Sequence, residues 1–293
     1  MNETRLLRGV RTMDYATQWT RPFVGDVSQR EHRVEQRLRR APFLAEPLRR
    51  LGYDCSEGWA WDHYRPTVLA LAQACRQSGR NGAGATRVLE IGGGRGPLLT
   101  PAEAAAAGIE LTVNDIDARE LSLAPEHFSK AQFDVAGDVD PSWEGRFDLI
   151  ISRMVFEHVR DAPRAWANMH RLLAQGGVAL AFHPTLYAPP FVVNWLLPEG
   201  LTARVLRFFF PNRHDEGYPK FRARYEMCFA DPAKVEPILA RCGFSQVLIA
   251  PFWRHGYFRD IPLLGEADAA LQHLAEKRDW RALATYAYTM ARR

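Results

Sequence analysis

Glu90, Gly92, Gly94, Gly96 and Asp115 are the residues whose types and spacing could do chemistry. In Arg87-Val88-Leu89-Glu90-Ile91-Gly92-Gly93-Gly94-Arg95-Gly96-Pro97-Leu98-Leu99, a short apolar run with one carboxylate breaks into a glycine-rich turn. Glycine permits a sharp reversal and lets a ligand lie against bare backbone. A second carboxylate, Asp115, closes the next apolar run, Ile109 to Val113. A carboxylate at that strand end can accept hydrogen bonds from both hydroxyls of a ribose, because it faces the same crevice as the glycine turn. A pyrophosphate-binding G-x-G-x-x-G turn would need a third glycine at position 97, where the chain has Pro97.

Elements that could position these groups follow from the hydrophobic pattern. Strands are expected over 87–91, 109–113, 132–135, from Phe147 to a carboxyl end at Ser152-Arg153, over 178–182 and over 245–250. The segment 285–291 reads either as a last, antiparallel strand or as a helical ending. Helices are expected over 59–78 with a break or later start at Pro66, from 97 or 100 to 107, from 118, over 163–173, 231–242 and 264–276, and from Trp280 onward. Alternating strands and helices predict an α/β fold with a doubly wound, mostly parallel sheet.

Glu90-x-Gly92-x-Gly94-x-Gly96 resembles the first motif of class I S-adenosylmethionine-dependent methyltransferases. Three further stretches fit in the expected order: Asn114-Asp115-Ile116-Asp117, Phe147-Asp148-Leu149-Ile150-Ile151-Ser152 with Glu157-His158-Val159-Arg160-Asp161, and Leu172-Leu173-Ala174-Gln175-Gly176-Gly177, where Gln175 replaces the usual proline. The resemblance covers Arg87 to about His183. It implies a Rossmann-like sheet of seven strands over 85–293, preceded by an N-terminal helical cap over 1–84 and carrying a helical lid at about 184–230, after strand five. The implied cofactor is S-adenosyl-L-methionine, with S-adenosyl-L-homocysteine as product. Glu90 would attract its ammonium group, directly or through water. Gly92, Gly93, Gly94 and Gly96 would pass its methionine and ribose, Asp115 would hold the ribose, and Ile116 would pack near adenine. Asp138, beside Val139, is the first choice to accept from the adenine amino group, and Asp134 is the alternative. Ser152 and Arg153 lie at the ligand-binding edge.

Methyl transfer needs a base only when the acceptor must lose a proton. His183, at the end of strand five, is the first candidate, and His158 a weaker one beside Tyr187 and Tyr225. Glu157 and His158 together invite an acid/base reading, but the family pattern implies that they fix the loop and helix after strand four. The expected reaction moves a methyl group to oxygen or nitrogen of a small-molecule acceptor. The alternatives are a protein of the same fold that binds without turnover and a nicotinamide-dependent oxidoreductase, the latter disfavoured by the glycine spacing. The apolar stretch around Trp195, Leu206, Phe208, Phe209 and Phe210 could pack on the core, line an acceptor pocket or form a homodimer through the lid.

Composition sets the bounds. Of 293 residues, 47% are hydrophobic and 25% charged, which is the balance of a globular chain. The formal net charge of +4 does not argue for nucleic acid. Basic runs such as Arg37-Leu38-Arg39-Arg40 read as solvated helix faces, and Tyr15, Trp19 and Phe23 have helical spacing interrupted by Pro22. No apolar run is long enough to span a membrane, so a cytoplasmic location without membrane contact is expected. Cys55, Cys75, Cys228 and Cys242 lack the spacing of a metal site, and no metal is expected.

Overall fold

The computed structural model describes residues 36, 38, 39, 41–78, 84–189, 191–192 and 221–293. Tyr15, Trp19 and Phe23, and the part of the expected lid over 193–220, lie outside the described residues. Helices α1 (Pro42–Arg50) and α2 (Glu57–Ser78) precede a seven-stranded sheet. The strands are β1 (Thr86–Ile91), β2 (Ile109–Asp115), β3 (Ser129–Gln132), β4 (Phe147–Arg153), β5 (Leu173–Pro184), β6 (Gln246–Phe252) and β7 (Tyr286–Arg292). Between them run α3 (Pro101–Ala107), α4 (Ala118–Ser122), α5 (Ala162–Leu172), α6 (Pro232–Arg241) and α7 (Leu264–Lys277).

The order is β3-β2-β1-β4-β5-β7-β6, parallel except where β7 pairs antiparallel with β5 and β6. Strands covered on both faces must be apolar along their whole length. Val88, Leu89, Leu149, Ile150, Ile151, Ala179 and Leu180 meet that requirement, each fully buried. Register aligns the carboxyl ends: Ile91 pairs with Ser152, Arg153 with Phe182, and Pro184 with Tyr286 of the reversed strand β7. One edge of the sheet therefore gathers the glycine turn, the end of β4 and the start of β7.

Helix α2 is tied to that edge. Its Tyr64 hydroxyl donates to the Ser152 carbonyl at 2.8 Å, and the Tyr288 hydroxyl donates to the Ala60 carbonyl. Pro66 neither breaks nor delays this helix, because it forfeits only one N–H while Tyr64, Thr67 and Val68 bury the face around it. Other boundaries also differ from expectation. β3 ends at Gln132, before the expected 132–135, because the Asp134 carboxylate takes the Ala136 N–H at 2.9 Å and turns the chain. β5 begins at Leu173 rather than Val178, with a register shift between Phe147 and Leu149 of its neighbour. From Trp280 only a short 3-10 turn, Arg281–Leu283, precedes β7, so the chain ends in a strand.

Candidate cofactor and acceptor site

The turn after β1 is glycine for three different steric reasons. A Cβ on Gly92 would lie 2.5 Å from Val155 Cγ2, and one on Gly93 would lie 2.9 Å from Val113 Cγ1. On Gly94 it would lie 2.8 Å from Asp115 Oδ2. Gly92 and Gly94 also have positive φ, +69° and +44°, which side chains disfavour. Gly96 is different: among the described residues, a Cβ there would meet nothing within 4 Å. Packing among the described residues does not require glycine at that position, whereas close approach of a ligand would.

Glu90 is only 3% exposed, and both its carboxylate oxygens accept from the Leu98 N–H, at 3.0 and 2.9 Å. Burial pushes its pKa up to about 7, against the Leu98 hydrogen bond and the Arg153 charge, which lower it. It thus spans the glycine turn from strand to far side. Asp115, half-buried at the end of β2, accepts from the Asp117 N–H at 2.9 Å through Oδ1, while Oδ2 faces the glycine turn. Desolvation raises its pKa as well. Ile116 is 51% exposed beside it. Asp117 instead caps α4, accepting from Arg119 and Glu120 N–H groups.

The two aspartates after β3 separate in space. Asp134 lies two residues past the strand, in a turn whose Val135 and Gly137 carbonyls both accept from Asn168 Nδ2 on α5, at 2.8 and 2.9 Å. The Asp138 side chain is fully exposed and ion-paired with Arg164, at 2.5 Å. Val139 is buried beside it. Ser152 is buried and Arg153 exposed at the end of β4, where Met154 takes a left-handed φ of +57° as its N–H bonds the Phe182 carbonyl at 2.8 Å.

His183 does not stand at an open mouth. It is 3% exposed, its Nε2 lies 2.9 Å from Thr289 Oγ1 and its Nδ1 lies 3.0 Å from the Pro184 carbonyl oxygen. Burial lowers its pKa to about 4, so the ring is neutral and occupied at both nitrogens. The ring, expected as a general base, is thus engaged on both sides between β5 and β7. His158 is half-buried, with Nε2 4.0 Å from Glu157 Oε1, and burial lowers its pKa too.

Sequence reasoning missed one pair. Arg95, inside the glycine turn, clamps Glu120 at the start of α4 through two hydrogen bonds, the Nε–Oε2 one at 2.6 Å. The signal was an arginine between two turn glycines and a glutamate just past Asp115. This fork fixes the turn against the helix that follows β2. Among the described residues, no group of three or more His, Cys, Asp or Glu could hold a metal ion, and no helix is long and apolar enough to cross a membrane.

A parallel sheet closed by an inserted antiparallel last strand, with a glycine turn after β1 and a carboxylate ending β2, defines a class I methyltransferase, whose methyl donor is S-adenosylmethionine. A family model described as a methyltransferase domain matches residues 28–209, more than half of the chain, and the chain belongs to that family. The ubiquinone biosynthesis O-methyltransferase of Rhodopseudomonas palustris (strain BisB5) is 28% identical over 145 residues, covering 43% of this chain and 56% of that protein. The match therefore spans little more than half of that relative. Among solved structures, an S-adenosylmethionine dependent methyltransferase from Mesorhizobium loti is 16% identical, with a TM-score of 0.42 over 75% of this chain and 96% of that one. One from Archaeoglobus fulgidus is also 16% identical, with a TM-score of 0.45 over 81% and 100%.

Proposed function

We propose that the protein transfers a methyl group from S-adenosylmethionine to an oxygen or nitrogen atom of a small-molecule acceptor. The observation that carries this reading is the open space at Gly96, set in a turn whose other glycines are dictated by their own neighbours and faced by Asp115 Oδ2. When bound, the cofactor supplies a methyl group already activated on a positively charged sulfur. The chain's own residues then bind, align and exclude water.

In this reading Asp115 holds the ribose hydroxyls and the exposed Ile116 covers one adenine face. Asp134, rather than Asp138, accepts from the adenine amino group, because Asp134 lies two residues past the strand in a turn braced by Asn168, whereas Asp138, exposed like Asp134, is ion-paired with Arg164. Glu90 acts chiefly by holding the turn through Leu98, and Arg95 with Glu120 holds it from the other side. A screen of hydroxyl and amine acceptors, with S-adenosylhomocysteine formation as readout, tests the reading. Acceptor-dependent product supports it; cofactor binding without product from any acceptor would favour a protein that binds without turnover.

A further inference from the structure

Glu157 is a buried titratable group that the cofactor site leaves unused. It lies in the 3-10 turn Phe156–His158 directly after β4, at the ligand-binding edge, and is 5% exposed. Among the described residues its Oε2 is buried without a hydrogen-bond partner. A buried acid oxygen left in that state is costly unless something else meets it. The position is enforced by the main chain, since the Glu157 carbonyl accepts the N–H groups of Arg224 and Tyr225, at 2.6 and 3.1 Å. Tyr225 takes a left-handed φ of +56° at that junction, a conformation its bulk disfavours.

Around this acid the edge is aromatic. Tyr286, at the start of β7, shares a hydrogen bond with Tyr257 at 2.6 Å. Phe191 packs edge-on against both rings, with centroids at 5.5 and 5.7 Å. Trp61 of α2, 41% exposed, meets Phe182 and Tyr286 at 4.8 and 5.8 Å. The groups that act electrostatically here are His158 beside Glu157, the Cys228 thiol with Glu226 beyond it, and the Tyr286 phenol, on which Glu57 also acts. No arginine or lysine pairs with Glu157 among the described residues. Burial pushes the Glu157 pKa up to about 8, within reach of neutral pH for taking up a proton. Among the described side chains shown to act on this point, an acceptor would meet acids and aromatic rings. A planar ring carrying a neutral hydroxyl matches both the walls and the orphaned oxygen.

We propose that Glu157 is the general base of the transfer and that the acceptor is an uncharged aromatic hydroxyl; this rests on the methyltransferase reading above. The acceptor O–H bond breaks with its proton going to Glu157 Oε2 as the new O–CH3 bond forms. The C–S bond of the sulfonium breaks with its electron pair remaining on sulfur, which becomes a neutral thioether. Glu157 then returns the proton to solvent.

The test uses the full chain as wild type, Glu157→Gln and Glu157→Asp, with catechol, a monophenol and an aromatic amine as acceptors. Binding of 4-nitrocatechol in the presence of S-adenosylhomocysteine, read by its visible absorption, is the measurement independent of turnover. Wild type is expected to methylate a phenolic hydroxyl, with kcat/KM half-maximal near pH 8 and levelling off above it. Glu157→Gln should lose about 100-fold or more in kcat and lose that rising limb. It should still bind S-adenosylhomocysteine and 4-nitrocatechol, and show the nitrocatechol ionising at a pH different from that on wild type. Glu157→Asp should recover part of the rate and the limb. A Glu157→Gln protein with an unchanged rate and pH limb, or a wild type that methylates only the amine, overturns the proposal while leaving the methyltransferase reading intact. Failure of wild type to bind S-adenosylhomocysteine overturns both.

Discussion

Glu90 and Leu98 face each other across the glycine turn, with both carboxylate oxygens of the one within 3.0 Å of the backbone nitrogen of the other. The acid that sequence reading assigned to the cofactor's ammonium group is thus first a brace for the loop that would carry the cofactor. Glutamine retains a side-chain oxygen to accept the Leu98 N–H, whereas alanine leaves that buried donor without a partner. Glu90→Ala should therefore weaken S-adenosylhomocysteine binding by about tenfold or more, and Glu90→Gln by much less. Calorimetric titration of the two variants checks this, and equal losses would return Glu90 to a direct role.

Gly94 and Gly96 should respond oppositely to alanine. At Gly94 the methyl group meets Asp115 at 2.8 Å on backbone of positive φ, so Gly94→Ala should unfold more readily by about 1 kcal/mol or more. At Gly96 it enters open space, so Gly96→Ala should melt as wild type does yet bind S-adenosylhomocysteine more weakly. Thermal melts and titrations of both proteins decide the point. Undiminished binding by Gly96→Ala would remove the observation on which the functional reading rests.

His183→Ala should be a stability variant. It deletes a buried ring and leaves the Thr289 hydroxyl without that partner, a change that costs on the order of 2–4 kcal/mol. At a temperature where the variant is folded, its turnover should stay within a few fold of wild type. A loss of several orders of magnitude in kcat at full folding would restore the histidine to the chemistry.

Glu57, Glu90 and Glu157 predict a pH dependence of stability. Burial raises their pKa values from 4.5 to about 7, about 7 and about 8. The folded state holds protons there that the unfolded chain has released, so this contribution is present at low pH and is lost as pH rises through the window from 4.5 to about 8. His183 and His255, lowered from 6.5 to about 4, act in the opposite sense below 6.5. Glu157→Gln isolates one carboxyl: its melting temperature relative to wild type should climb between about pH 5 and about pH 8. A constant difference across that range would contradict the assigned burial of the charge.

Much of this was legible in the sequence because parallel strands buried on both faces leave uninterrupted apolar runs, as at Val88 to Ile91 and Leu149 to Ile151. Asp115 was legible from its place at the end of such a run. Side-chain destinations were not. The spacing of His183 shows a strand end, and only the register of β7 shows that Thr289 occupies its ring. Asp134 and Asp138 are four residues apart, and no local pattern shows that Asp138 finds Arg164 on α5. Arg95 and Glu120 meet because α4 folds back over the turn, a tertiary fact without a local pattern.

The central claim is that the glycine turn and Asp115 form a site for S-adenosylmethionine. The most direct test is calorimetric titration of wild type and Asp115→Ala with S-adenosylhomocysteine, with NAD as control. The account predicts saturable binding of S-adenosylhomocysteine by wild type, at least about tenfold weaker binding by Asp115→Ala for the loss of charged hydrogen bonds, and no binding of NAD. Binding of NAD alone, or S-adenosylhomocysteine affinity unchanged in Asp115→Ala, would contradict it.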